Sequence, residues 1–168
     1  MHPCLKTAAV AFTTLATALT VTLAHADGVR SEKTLSLDLA NQLAAATVAA
    51  CQAGGYAVAV TVVDRAGGVR AVQRADNAGP HTLAASERKA YTAASAKNST
   101  LAMMENAQKN PAAANLVQIP GFLLLGGGVP VRAGNEVIGA IGVGGAPGGH
   151  LDEQCAVAAI EKYKDALK

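Results

Sequence analysis

Residues Gly134 to Glu153 read GNEVIGAIGVGGAPGGHLDE, and this stretch decides the fold. Val137 to Val143 is a short apolar run, threaded with Gly139 and Gly142 and followed by Gly144 and Gly145. Ala146-Pro147-Gly148-Gly149-His150 is a turn, and Asp152 and Glu153 open a helical pattern that reaches about Leu167. A strand that spends positions on glycine lets something come close to its backbone. The candidates are another backbone, a subunit or a ligand. The segment is not a phosphate-binding loop, because no Lys-Ser/Thr follows the glycines and the spacing does not give G-x-G-x-x-G.

Outward from this stretch, Val129 to Arg132 and Leu123 to Leu125 read as two further strands, separated by Gly126-Gly127-Gly128. Residues 112–121 are irregular. Ser99 or Thr100 caps a short helix that Asn110-Pro111 stops, and Thr82 starts a longer one through about Ala96. Tyr56 to Val63 and Val69 to Arg74 form a hairpin around Asp64-Arg65-Ala66-Gly67-Gly68. Ser36 or Asp38 caps a first helix over roughly Leu37 to Gln52, with Leu39, Leu43 and Val48 at helical spacing. The order is α-β-β-α-α-β-β-β-α. Tight hairpins imply antiparallel pairing, hence a single α+β domain rather than a doubly wound sheet.

The first 26 residues stand apart. Lys6 supplies a positive start, Thr7 to Leu23 carries no charge, and Ala24-His25-Ala26 is an A-x-A processing site. This reads as a secretory signal peptide, placing the protein in the periplasm or outside the cell. Residues 27–34 are a flexible lead, and 35–168 is the domain. The net charge of +2 argues against nucleic acid. Beyond the leader the aromatics are Tyr56, Tyr91, Phe122 and Tyr163, so no stacking platform exists. Cys51 and Cys155 either pair, as export permits, or sit as two buried free thiols. The two would meet if the first and last helices lie antiparallel on one sheet face.

Few residues can carry chemistry. His81 and His150 are the histidines left after processing, each just before a helix. No G-x-S-x-G elbow and no H-E-x-x-H is present. His81, in Gly79-Pro80-His81-Thr82, is a loop imidazole able to bind a ligand or a metal, or simply a polar loop residue. His150 reads more simply as a solvated turn residue. Arg74 either pairs with Asp76 or is solvated; on the reading of a small hydroxy acid as ligand, Arg74 or Lys89 holds its carboxylate. Lys89 lies on the wet face of its helix or faces a groove. Asp64 caps its turn.

Four stretches resemble the HbpS/GlcG-like haem-binding domain family. They are Val62-Val63-Asp64-Arg65-Ala66-Gly67-Gly68, Arg74-Ala75-Asp76-Asn77-Ala78-Gly79-Pro80, Lys89-Ala90-Tyr91-Thr92-Ala93-Ala94, and Ile138 to Gly148 with Asp152-Glu153. Gly144 stands where the family pattern has serine before Gly-Ala-Pro. The resemblance covers residues 35–168. It implies a five-stranded antiparallel sheet packed with N- and C-terminal helices and a central helical pair, and assembly into homo-oligomers. It also implies haem as cofactor in some members, with sequestration, sensing or breakdown of haem as the role. Other members accompany glycolate use. The motifs do not fix the haem ligand. On chemistry His81 is the candidate for the metal, because neutral imidazole is a common ligand of haem iron, with Thr82, Arg74 and Lys89 around it. No catalytic constellation is evident. If the leader is processed as read, intact mass of the exported protein will place its N-terminus at Asp27, and retention of residues 1–26 would refute export by this route.

Overall fold

The computed structural model describes residues 28–168; the signal-peptide reading concerns residues 1–26, which lie outside them. Residues 28–31 are exposed and form neither helix nor strand, and Glu32–Lys168 forms one compact unit. Within it, helix α1 (Leu37–Ala53) starts where the Ser36 hydroxyl accepts a hydrogen bond from the Leu39 N–H. Strands β1 (Ala59–Asp64) and β2 (Val69–Arg74) form the expected hairpin. Asp64 closes its turn by accepting from the backbone N–H groups of Ala66 and Gly68, each at 2.9 Å. Helices α2 (His81–Ala96) and α3 (Thr100–Lys109) follow. A short α4 (Pro111–Ala114) and a 3₁₀ turn (Asn115–Gln118) occupy part of the stretch read as irregular. Strands β3 (Gly128–Ala133) and β4 (Glu136–Gly144) form the second hairpin, and α5 (Gly149–Lys162) closes the chain with a 3₁₀ turn at Lys164–Leu167.

The sheet has four antiparallel strands in the order β2-β1-β4-β3, not five. Leu123 to Leu125 is the reading that fails, and the reason is where its backbone bonds go. The Leu123 N–H donates to the Thr92 hydroxyl of α2 at 2.8 Å. The Leu125 carbonyl accepts from the Thr100 hydroxyl of α3 at 2.7 Å. That same hydroxyl oxygen accepts from the Gly128 N–H at 2.7 Å. Side chains of two helices satisfy this backbone, so it has no need of a neighbouring strand.

Alternation along the strands divides the core into two layers of contact. Val58, Val60 and Val62 of the β1 segment, Val129 and Val131 of β3, and Ile141 and Val143 of β4 pack with Leu43, Ala44 and Cys51 of α1 and Cys155 and Ala156 of α5. The opposite face brings Val63 and Ala140 against Ala90, Ala93 and Ala94 of α2. A disulfide joins Cys51 to Cys155, with Cα atoms 5.3 Å apart, and ties the first helix to the last. The bond spans a sequence separation of 104, and closing a loop of that length stabilises by about 4.7 kcal/mol in the chain-entropy model.

The α2 face is nearly bare of side chains. A Cβ built on Gly142 would overlap the Ser86 carbonyl oxygen, and one on Gly128 would overlap the Lys89 carbonyl oxygen. The glycines of the decisive stretch are therefore there so that a helix backbone can lie directly on the sheet. Gly142→Ala is expected to cost the upper end of ~1–3 kcal/mol or more, because both parties to the clash are backbone. Urea unfolding followed by circular dichroism measures it.

Candidate functional site

Three of the four residues singled out from the sequence converge on Ala78 and Gly79. Arg74, at the end of β2, donates from Nε to the Ala78 carbonyl at 2.9 Å and from Nη2 to the same oxygen. Thr82 is buried, and its hydroxyl donates to the Gly79 carbonyl at 2.6 Å. His81 is exposed at the first position of α2, with its ring lying against Gly79, where a Cβ would come within 2.7 Å of the imidazole Cε1. Asn77 takes a left-handed conformation, φ 66°, that turns the chain into this loop. Arg74 does not pair with Asp76 through any bond seen here; its guanidinium instead braces the loop.

No side chain caps the start of α2, although the Thr82 N–H donates to the Gly79 carbonyl at 3.1 Å. Pro80 precedes the helix, and its first turn carries no acidic residue. The positive end of the helix dipole thus has no side-chain cap and no carboxylate beside it in the first turn. Leu83, 38% exposed, adds an apolar surface one residue beyond Thr82. A polar cleft of about 350 Å³ lies beside the loop, lined by Gln52, Tyr56, Ala75, Asp76 and Asn77 among others. Taken together, the α2 start offers an imidazole, an anion-attracting backbone and an apolar side chain at the surface. At Gly144 a Cβ would stand 3.3 Å from both the Thr82 carbonyl oxygen and the Ala85 Cβ. The serine of the family pattern would press on this first turn, and glycine leaves it free.

Lys89 does not join the group. It is 2% exposed, two turns along α2, and its ammonium donates to the Val143 carbonyl and to Asp152 Oδ2, both at 2.8 Å. The same pair is the salt bridge between α2 and α5. The other carboxylate oxygen of Asp152 accepts from the Ala146 N–H at 3.0 Å. Gly127 makes room for the crossing, since a Cβ there would come within 2.7 Å of the Asp152 Cβ. Burial pushes the Asp152 carboxyl above its ordinary value, while the Lys89 hydrogen bond and charge and the Ala146 and Gly145 N–H groups pull it back. Lys89 is therefore a bolt between helices on opposite faces of the sheet. The sequence showed Asp152 as an acidic helix start and as part of a family motif; nothing local points to a partner 63 residues away. His150 sits exposed at the start of α5, with its ring against Gly148. Among the described residues, no group of three or more His, Cys, Asp and Glu side chains is placed to hold a metal ion.

A sequence model of the family described as "Haem degrading protein HbpS-like" matches residues 35–161. Protein GlcG of Escherichia coli is 34% identical over 109 residues, spanning 62% of this chain and 80% of GlcG. A double mutant of HbpS from Streptomyces reticuli has the same fold, with a TM-score of 0.76 and 37% identity over 86% of this chain and 97% of that one. PduOC, solved as a haem complex, gives a TM-score of 0.68 and 25% identity over 76% of this chain and 94% of its own.

The buried ion pair makes a sharp prediction. Lys89→Met is expected to lose about 3–5 kcal/mol at neutral pH by stranding a buried carboxylate. With its cation gone, Asp152 will titrate still higher in the folded state than in the unfolded chain. A folded-state pKa raised in this way makes stability greatest below the unfolded value and lower as pH rises through the folded one. The defect should therefore shrink towards pH 4, as denaturant midpoints of wild type and variant across pH will measure.

Proposed function

Because the chain belongs to the HbpS-like family, we propose that it is an exported haem-binding protein that sequesters, senses or helps to break down haem, with His81 as the iron ligand. The observation that carries the reading is the uncapped start of α2, where an exposed imidazole, helix N–H groups and Leu83 share one surface. Each group has a part. His81 offers an imidazole nitrogen to the iron. The N-terminus of α2 suits a propionate carboxylate. Arg74 and Thr82 hold the loop through Ala78 and Gly79, so that they position His81 rather than bind haem themselves. Bound haem would supply an iron centre that binds small ligands and exchanges electrons, chemistry that these side chains lack. The haem complex of PduOC supports the cofactor.

Export is part of the proposal. The Cys51–Cys155 disulfide supports it, since such bonds persist in oxidising compartments. Self-association is another part. Val117, Ile119 and Leu125 are large apolar side chains left more than 40% exposed, a surface that a second copy could cover. No helix among the described residues is long and apolar enough to cross a membrane.

Haemin titration of the mature protein, read from the Soret band, tests the reading. His81→Ala should abolish or shift the band, and His150→Ala should leave it nearly unchanged. An unchanged spectrum in His81→Ala would move the ligand elsewhere. No haem binding by the wild type would favour a small hydroxy acid such as glycolate instead, or a ligand-free assembly role, and calorimetry with glycolate separates those two.

A further inference from the structure

The chain between α2 and β3 is fixed at its two ends and thinly held between them. At the near end Arg132 of β3 donates to the Lys97 carbonyl at 2.8 Å. The buried Thr100 hydroxyl bridges the Leu125 carbonyl and the Gly128 N–H. At the far end Phe122 is buried and its carbonyl accepts from the Arg88 guanidinium, while the Leu123 N–H meets Thr92. Residues 101–121 carry most of α3, all of α4 and the 3₁₀ turn, yet within them only Met103 and Ala113 are buried. Burial of apolar surface is the main force that holds a helix to a core, and a segment with little of it opens at lower cost than the rest.

One interior carboxyl fastens the start of this segment to α5. Glu153 receives hydrogen bonds from the Ser99 hydroxyl and from the Leu101 and Gly127 N–H groups, so the first turn of α3 and the loop before β3 both hang on it. Its two oxygens fare differently. Oε2 is shut off from solvent and has no hydrogen-bond partner. A buried charged oxygen without a donor costs more than a neutral one, so a proton belongs on Oε2 and the other oxygen is left to accept. The groups around Glu153 supply no cation to reverse this. Glu105 of α3 adds a like charge. Lys89 is taken by Asp152 and the Val143 carbonyl. Glu161, on the same side of α5, pairs with Lys164, and the His150 ring lies against Gly148. Burial accordingly pushes the Glu153 carboxyl above its ordinary value, and the three donors do not pull it all the way back.

We propose that residues 101–121 form a flap whose closed position requires a proton on Glu153, and that loss of this proton releases α3 from α5. The sign follows from linkage. The closed flap prefers the protonated carboxyl, so closure is fully favoured below the ordinary value that Glu153 regains in the open flap. Closure weakens as pH rises through the higher closed-state value. Opening takes Leu101 out of the wall of the cleft, about 490 Å³, that it forms with Val157 and Ala158 of α5. It also displaces Val117 and Ile119, and on the self-association reading this puts that surface under the control of one carboxyl. The flap itself depends neither on that reading nor on haem, because it shares no residue with the α2 loop.

Hydrogen exchange of the mature protein, corrected for the intrinsic pH dependence of exchange, tests the flap. The α3 amides from Met103 to Asn106 should be less protected than those of β4, and their protection should fall at least about threefold between about pH 5 and about pH 8. Glu153→Gln, a neutral isostere, should hold α3 near its low-pH protection throughout. A carboxyl carbon titration of wild-type Glu153 by NMR should have its midpoint above the ordinary 4.5, and this decides the matter even if Glu153→Gln does not fold. Protection of α3 equal to that of β4, protection that does not fall with pH, the same pH response in Glu153→Gln, or a Glu153 midpoint at or below the ordinary value would each overturn the proposal.

Discussion

The backbone of α2 rests on the backbone of β3 and β4, and most of the structure depends on that close approach. Gly128 and Gly142 face each other across the β3–β4 ladder, and neither tolerates a Cβ beneath the helix. Because only small side chains stand between the layers at this point, Thr61 of β1 reaches Ser86 of α2 directly, at 2.8 Å between hydroxyl oxygens. Lys89, on the same helix, is carried into the interior, where an isolated ammonium would be untenable. Asp152 and the Val143 carbonyl answer it. The ion pair is thus a consequence of glycine-mediated packing. Its energetic meaning is asymmetric: the intact pair adds little over an apolar substitute, but losing one partner is costly.

That bolt also couples the two ends of the decisive sequence stretch. Asp152 accepts from Ala146 within the glycine turn and from Lys89 across the sheet. The turn, α5 and α2 are therefore held in register by one carboxylate. The disulfide does the corresponding job on the other face, between α1 and α5. The α2 loop sits outside these restraints, at a helix start where His81 is exposed.

Comparing sequence with structure shows where local chemistry suffices. The β1–β2 hairpin, the helix starts near Ser36 and Ser99, the Asp64 turn and the long helices α1, α2 and α5 could be read directly, because each is decided by neighbours in the chain. The expectation of five strands failed at Leu123 to Leu125 because Thr92 and Thr100, far away in sequence, satisfy that backbone. The segment has the apolar residues of a strand but not the partners.

By itself the sequence determined the α+β class, the antiparallel pairing, the family motifs and the candidacy of His81, all of which rest on periodicity, turn chemistry or residue type. Tertiary structure alone decided what the glycines of β4 are for, that Lys89 belongs to the interior, and that Arg74 and Thr82 brace the loop rather than project from it. It also decided that Cys51 and Cys155 meet. The reason is the same in each case. A side chain's ionic partner, its neighbours across a sheet and the space beside it are set by residues distant in the chain, and no local pattern encodes them.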